Sequence, residues 1–324
     1  MTKPSPTGHE TFLHSEHCTD LDRIDADIAF LGIPFGQSYS FAEIASAQSL
    51  MPGAMRAASN QIVRSIERYD FDLGGPLYDN RPIRAVDCGD VIADHFDPSA
   101  HAARAEAAVR KIIAAGTMPI VLGGDHGVPI PVFRALDSLG PITLIHIDQH
   151  LDWRDEVNGV RQGLSSPVRR ASEMDHIEDI FQIGLNATGS ARPEEVHAAL
   201  AYGSNLITAY EVHDGGMDAV LARIPDGGNY YITLDLDGMH AGIAPGVFAP
   251  CPGGLHFHQV RKLIRGLVGK GRVVGMDAVE IVPPMDVNQI TCITRGASSS
   301  TSSAPPCAPI ISRAAPRNAQ ARAP

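Results

Sequence analysis

Ionisable side chains follow directly on an apolar run in the segment HIDQHLDW (146–153). Asp148, His150 and Asp152 stand at every second position there, so on a strand all three would share one face. On a straight strand, which rises about 3.3 Å per residue, the Cα atoms of Asp148 and Asp152 would be about 13 Å apart. That separation is too large for one ion. Either the chain curls where the strand ends, or the site holds more than one metal ion.

Further candidates stand at the ends of other apolar runs. His126 follows PIVLGG, Asp235 and Asp237 lie in ITLDLDG (232–238), and Glu280 ends DAVE. Loops at the carboxyl ends of parallel strands converge on one crevice, so these side chains are expected to meet the first group. Several carboxylates with two imidazoles form a hard, oxygen-rich ligand set that suits Mn²⁺ or a similar divalent ion. Two such ions close together would deprotonate a water molecule near neutral pH.

Each element also has a simpler interpretation. A carboxylate-x-His-x-carboxylate pattern is expected by chance about 0.2 times in a chain of this composition. GGDH could be a phosphate-binding loop, but it lacks the GxxxxGK[ST] pattern. Asp235 and Asp237 could be solvated loop acids, and His150 a structural histidine. The conjunction of all these groups at strand ends favours a metal site.

Apolar runs alternate with helix-like stretches along the chain, which predicts βαβ units. We therefore expect a three-layer α/β/α fold with a mostly parallel central sheet. One predicted helix covers 99–116, with Ala103, Ala107, Val109 and Ile113 approximating its buried stripe. The predicted strands are IAFLGIP (28–34), IRAVDCGDV (83–91), MPIVLGGDH (118–126), ITLIHIDQH (142–150), DIFQIGL (179–185), NYYITLDLD (229–237) and RVVGMDAVEIV (272–282).

Composition narrows the class of protein. The 324 residues carry a formal net charge of −11, which argues against nucleic-acid or anionic-membrane partners and suits a cationic small molecule. The amino terminus lacks a signal-peptide pattern, and no apolar run is long enough for a membrane span. The scattered cysteines predict unpaired thiols in a reducing cytoplasm rather than disulfides or a thiolate zinc site. They are Cys18, Cys88, Cys251, Cys292 and Cys307.

We expect a single domain over 1–295, followed by a tail over 296–324 rich in Ser, Ala, Pro and Arg. One interpretation of the tail is low-complexity disorder. The other is a frameshift, because serine TCN codons read one base earlier encode Phe, Leu, Ile or Val. If the tail cannot cover the sheet as a helix would, an exposed apolar patch would lower solubility.

Taken together, the motifs resemble the ureohydrolase (arginase–agmatinase) family, and its agmatinase branch more than the arginases. GGDHG, IDQHLD, LDLDG followed by IAPG and PGGL, and GMDAVEIVPP stand at family-like spacing from 31 to about 294. The resemblance implies the family's three-layer fold, two Mn²⁺ ions (with Ni²⁺ or Co²⁺ as alternatives), and a homo-trimer or hexamer. The implied metal ligands are His126, Asp148, His150, Asp152, Asp235 and Asp237.

The same resemblance implies a hydrolytic reaction on a small cationic guanidino substrate. A metal-bridging hydroxide would attack the guanidinium carbon, and the tetrahedral intermediate would collapse to urea and an amine. Asp152 would hydrogen-bond the hydroxide while ligating metal. Glu280 would anchor the guanidinium group, and we also assign Asn158 to substrate binding.

The chain departs from the family pattern at several positions. Gln162 precedes Gly163 where the family carries a His-Gly pair that helps proton transfer, and His240 and Ala241 replace an acid and a proline. We hypothesise that His240 enters the site as a catalytic proton shuttle; the alternative is a surface histidine. Gln149 is expected on the opposite strand face if strand alternation holds that far. The tail takes the place of the family's terminal helix.

Hydrolysis of an agmatine-like compound is the first functional interpretation. Another guanidino or formimino substrate, including an N-substituted guanidine, and a catalytically silent partner subunit of a hetero-oligomer are the alternatives. Lysine deacetylases share the architecture, but they use one zinc ion. The specificity loops 35–52 and 153–170 do not decide the substrate. Residues there that could select substrate charge are Arg154, Arg161, Asp155 and Glu156.

Overall fold

The computed structural model describes residues 2–3, 10–40, 47–62, 67–71, 74–78, 82–189 and 191–292. The tail over 296–324, with its disorder and frameshift hypotheses, lies outside the described residues. Within the described part of the chain, no helix is both long and apolar enough to cross a membrane.

One ten-stranded sheet organises the chain, and its strands run β1-β4-β3-β5-β10-β9-β6-β7-β8 with β2 also paired to β4. The bounds are β1 Thr2–Lys3, β2 Glu16–His17, β3 Ile28–Gly32, β4 Ala85–Val91, β5 Met118–Leu122, β6 Ile142–Ile147, β7 Ile177–Leu185, β8 Asn205–Thr208, β9 Asn229–Asp235 and β10 Arg272–Val279. All pairings are parallel except that between β1 and β4. The predicted mostly parallel sheet is confirmed, with all seven predicted strands. The short strands β1, β2 and β8 were not predicted.

Helices cover both faces of the sheet, as predicted. They are α1 Met51–Ile62, α2 Pro98–Ala114, α3 Pro129–Ala135, α4 Pro167–Ala171, α5 Pro193–Tyr202, α6 Ala209–Gly215, α7 Met217–Arg223 and α8 Phe257–Lys270. One hydrophobic core packs α1, α6, α7 and α8 against the sheet. A second core packs α2, α3, α4 and α5 against its other face. The chain therefore forms three layers.

Strand β3 shows why the runs are continuously apolar. Ile28 and Phe30 belong to one core, while Ala29 and Leu31 belong to the other. Every residue of the strand is buried. A parallel strand covered on both faces needs apolar side chains at odd and even positions alike, so its sequence shows no alternation.

Helix α2 begins where predicted, because the Asp97 side chain accepts a hydrogen bond from the Ala100 amide at 2.9 Å and Pro98 follows. The predicted buried stripe was largely wrong. Of its members only Val109 is fully buried, and the buried face consists of His101, Ala105, Ala108, Val109 and Ile112. Alanine occupies so many positions of α2 that its faces differ little in hydrophobicity. Packing against the sheet, and not the sequence pattern, therefore decides which face of the helix is buried.

Four adjacent strands, β5, β10, β9 and β6, form the middle of the sheet. They are parallel, so their carboxyl ends lie at one edge. The loops that follow them carry the candidate functional residues.

Candidate functional site

The chain turns sharply where β6 ends. It bends at Gln149 and His150, and Asp152 adopts a left-handed backbone with φ of +50°. Asp148 fixes the turn, because its Oδ1 accepts the His150 amide at 2.6 Å. The curl brings Asp152 Oδ2 to 3.2 Å from His126 Nδ1. Asp148 and Asp152 can thus serve one site, which a straight strand would not allow.

His126, from the loop after β5, lies at the centre of the carboxylates. Its Nδ1 is 3.0 Å from both Asp148 Oδ2 and Asp235 Oδ2. Its Nε2 is 3.0 Å from Thr233 Oγ1, whose hydroxyl donates to Asp277 Oδ1 at 2.7 Å. Since that hydroxyl proton is already used, Nε2 must carry the hydrogen of the first bond. Nδ1, which faces the carboxylates, then either holds a second proton or binds a cation.

A second group of ligand atoms adjoins the first. His150 Nδ1 lies 3.3 Å from both Asp148 Oδ1 and Asp237 Oδ2. The Asp237 amide donates to Asp235 Oδ1 at 2.8 Å and so links the two carboxylates of LDLDG. Asp148 is common to both groups, which the loops after β5, β6 and β9 hold side by side.

His146 joins the first group, although the sequence analysis did not propose it. Its Nε2 is 3.0 Å from Asp148 Oδ2, and its ring stacks on His126 with centroids 5.1 Å apart. Burial lowers its pKa and favours the neutral imidazole. The sequence did contain an indication of this role, because His146 continues the two-residue spacing of Asp148, His150 and Asp152.

Among the described residues, histidines but no lysine or arginine form ion-pair contacts with these buried carboxylates. Burial, and then the charge of Asp148, raise the pKa of Asp152, and Asp152 Oδ2 accepts no hydrogen bond. Asp148 Oδ2 has imidazole nitrogens at 3.0 Å, yet no N–H points at it. Burial opposes a charge on His150, but its contacts with Asp148 and Asp237 raise its pKa to about 12. Excess negative charge with bare oxygen and nitrogen atoms fits a divalent-cation site.

Glu280 lies beside these groups at the end of β10. Its backbone has φ of +70°, and its Oε1 accepts the His126 amide at 2.8 Å. Its Oε2 accepts Gln48 Nε2 at 3.0 Å. Burial, and then the charge of Asp125, raise the pKa of Glu280 to about 7. The structure therefore places the Glu280 carboxylate next to both groups of ligand atoms.

A cavity of about 470 Å³ opens from these groups to the surface. We call the buried carboxylates at and beneath its bottom the acidic floor: Asp148, Asp152, Asp235, Asp237 and Glu280. We call the more exposed side chains around its mouth the uncharged rim: Tyr39, Leu164, Phe248, Ala249 and Met285. The two ends of the cavity thus differ in charge.

Two proposed site residues do not line this cavity. His240 stacks on His256 with ring centroids 5.2 Å apart, and its Nδ1 accepts the Gly242 amide at 2.9 Å. Its backbone amide is bound to the Leu255 carbonyl, which holds it in a surface group of histidines rather than in the site. Asn158 is exposed in a tight turn with φ of +52°. Neither residue lines the cavity, and the catalytic role of His240 and the substrate-binding role of Asn158 stay predictions.

Gln149 was expected on the far face of the strand, and that expectation was wrong. Its side chain donates to the Ala249 carbonyl and hydrogen-bonds Asp237. Burial raises the pKa of Asp237, and the bond from Gln149 only partly opposes this effect. Strand alternation ends at Ile147 because the chain bends at Gln149, so the side chain turns toward the site.

The sequence matches the arginase family over residues 26–298. The chain belongs to the arginase family. A guanidinobutyrase from Pseudomonas aeruginosa is 30% identical over 286 residues, which cover 86% of each chain. An agmatinase from Chromobacterium violaceum is 31% identical, with 88% of this chain and 85% of that protein covered. The structure of proclavaminate amidino hydrolase from Streptomyces clavuligerus matches with a TM-score of 0.79 at 25% identity, over 93% of this chain and 97% of that one. As an arginase-family member, the protein is a hydrolase.

The charged side chains of the loop 153–170 do not line the cavity. Gln162 accepts a hydrogen bond from Arg134 Nη2 at 2.7 Å and does not line the cavity. Arg154 pairs with Glu195 at 2.6 Å. The other charged candidates in the loop, Arg161, Asp155 and Glu156, also lie outside the lining, and Arg161 pairs with Asp155 at 3.0 Å.

Proposed function

We propose that this arginase-family protein hydrolyses a guanidino compound to urea and an amine. One observation carries the proposal: two adjoining groups of ligand atoms share Asp148 at the bottom of a cavity that also presents Glu280. A cationic guanidinium group would meet opposite charge there, next to a site suited to divalent ions.

The proposed metal ligands are His126, Asp148, His150, Asp152, Asp235 and Asp237. His146 adjoins three of them, His126, Asp148 and Asp152. We propose two Mn²⁺ ions, with Ni²⁺ or Co²⁺ as alternatives, because the donors are carboxylates and imidazoles. When bound, such ions lower the pKa of a coordinated water molecule to near neutrality and polarise the substrate.

The remaining roles fall to the chain's own side chains. Asp152 Oδ2, which has no donor, can accept a hydrogen bond or proton from the attacking water molecule. Glu280 is held by His126 and Gln48, so its carboxylate is pre-oriented toward a guanidinium group without reorganisation. His240 takes no part in the proposal because it lies outside the cavity.

We also propose a cytoplasmic location and a homo-trimer or hexamer. Support for the location comes from the cysteines, since Cys18, Cys88 and Cys251 form no disulfide. The oligomer rests on the family resemblance alone.

Urea release by purified, Mn²⁺-loaded protein tests the function. The panel contains agmatine, arginine, guanidinobutyrate, guanidinopropionate and alkylguanidines, and Asp148→Asn serves as the blank. Metal content is measured on the same samples. Urea from any member of the panel, absent in the blank, supports the proposal. No urea from folded protein that carries two metal equivalents contradicts it and favours a silent partner subunit.

A further inference from the structure

The two ends of the cavity call for different chemistry in a ligand. The acidic floor concentrates buried negative charge, whereas the uncharged rim offers aliphatic and aromatic carbon. Phe248 is 74% exposed and Met285 50% exposed, so these large apolar side chains remain in water unless a ligand covers them. Among the described residues that line the cavity, none is a lysine or an arginine.

Two charged groups near the cavity, Arg170 and Asp286, are bound elsewhere. Arg170 Nη2 lies 2.6 Å from Asp155 Oδ1, on the exposed side of the specificity loop. Asp286, directly after Met285, accepts the amides of Thr291 and Cys292 at 2.8 and 2.9 Å. Within the described part of the chain, no charge is therefore placed at the rim to receive a charged substrate tail.

We infer that the preferred substrate is a guanidine whose nitrogen substituent is neutral and apolar, such as an N-alkylguanidine. This inference rests on the proposed hydrolysis and concerns only the substrate class. The guanidinium end meets the acidic floor, and the alkyl end covers Phe248, Leu164 and Met285. A carboxylate or ammonium at the tail would lose water at the rim without gaining an ion pair from the described lining residues.

The reaction balances without any co-reactant other than water. Water adds to the guanidinium carbon of an alkylguanidinium ion, and the bond from that carbon to the alkyl-bearing nitrogen breaks. The leaving nitrogen takes up a proton, which gives urea and an alkylammonium ion. The product amine has an apolar tail, so nothing at the rim holds it by charge.

Matched substrates test the inference on the Mn²⁺-loaded enzyme. Pentylguanidine replaces the terminal ammonium of agmatine with a methyl group, and butylguanidine replaces the carboxylate of guanidinobutyrate. We expect kcat/KM for each alkyl compound to exceed that of its charged partner by about tenfold or more, mainly through KM. A higher kcat/KM for agmatine or guanidinobutyrate would overturn the inference while leaving the hydrolase intact. No urea from any of the four would instead count against the proposed function.

A charge added at the rim gives an independent test. Phe248→Lys should raise kcat/KM for guanidinobutyrate relative to butylguanidine by about tenfold, whereas Phe248→Met, a neutral side chain of similar length, should not. Because Phe248 is exposed, neither substitution disturbs the core. An unchanged ratio in Phe248→Lys, with both variants folded and active, would show that the tail does not reach the rim.

Discussion

Two clusters of buried carboxylates in this protein differ in how their charge is balanced. In the first, Asp87 and Asp90 of β4 surround Arg56 of α1, which is fully buried. Arg56 binds Asp87 through Nε at 2.7 Å and Nη2 at 2.9 Å, and Asp90 through Nη1 at 2.6 Å. In the second, the acidic floor, the described residues include no arginine or lysine and oxygen atoms remain without donors.

The difference separates a structural cluster from a functional one. A closed cluster, in which one fixed guanidinium binds both carboxylates, holds α1 to the sheet. An open cluster needs a cation from outside, either a metal ion or a substrate. Burial of the acids alone does not distinguish the two clusters. The presence of the Arg56 guanidinium in one of them does.

The largest effect is expected from Asp148→Asn, which alters the carboxylate that both ligand groups share. Activity should fall by more than about 100-fold, and divalent-ion binding should be lost. The metal-free variant should lose only modest stability. Although burial opposes its charge, contacts with His126, His146 and His150 lower the pKa of Asp148, and Asn keeps the oxygen that accepts the His150 amide. Urea assays, metal content and thermal unfolding check this, with Asp155→Asn as the control. A large loss of stability in the metal-free variant would show that the acidic floor, like the Arg56 cluster, serves mainly to stabilise the fold.

Arg56→Met should affect stability instead of chemistry. It leaves Asp87 and Asp90 buried without their partner, so the free energy of unfolding should fall by about 3–5 kcal/mol. Urea denaturation measures this, and kcat at low temperature should stay near wild type. Arg84→Met is the matched control, since Arg84 pairs with Glu16 and Asp25 at the surface, and it should show no measurable change. Equal losses of unfolding free energy in Arg56→Met and Arg84→Met would show that the buried Arg56 cluster is no more important for stability than a surface ion pair.

A smaller effect is expected from Gln149→Ala, which cuts the link between Asp237 and the Ala249 carbonyl at the rim. We expect kcat/KM to fall about tenfold and stability to fall by about 1 kcal/mol. Steady-state kinetics and thermal unfolding measure both. Gln162→Ala, which removes a glutamine bonded outside the cavity, should leave kcat/KM unchanged. Wild-type kinetics in Gln149→Ala would show that the hydrogen bond from Gln149 is not needed to position Asp237.

The smallest effect is expected from His240→Ala. Its ring packs on His256 outside the cavity, so kcat/KM should remain within about twofold of wild type across the pH range. A general acid or base would contribute a factor of about 100 or more. A loss of that size with an altered pH profile would restore His240 as the proton shuttle, and His258→Ala provides the control from the same group of histidines.

The sequence predicted the central strands well because each is apolar on both faces and is followed by a polar loop. It also predicted which strand ends carry Asp148, His126, Asp235 and Glu280, and the structure brings these together. It failed where tertiary packing decides. The rotation of α2, the bend that turns Gln149 inward and the partners of Arg154 depend on contacts distant in sequence.

The closed cluster was not predicted at all. Arg56, Asp87 and Asp90 are ordinary charges in the sequence, and the pairing joins residues 31 and 34 positions apart. His146 was missed for another reason, because it lies within an otherwise apolar strand and resembles part of the core. The two-residue spacing that selected Asp148, His150 and Asp152 applied to His146 as well.

The order of strands in the sheet has a consequence for how the protein is made. β9 and β10 come last in the chain but occupy the centre of the sheet, between β5 and β6. His126 contacts Asp235 and Glu280 across 109 and 154 positions. A nascent chain that ends before β9 contains β5 and β6 but lacks the two strands that join them. Such high contact order slows folding. Metal acquisition is therefore a late event, and a loaded protein is one whose sheet is complete.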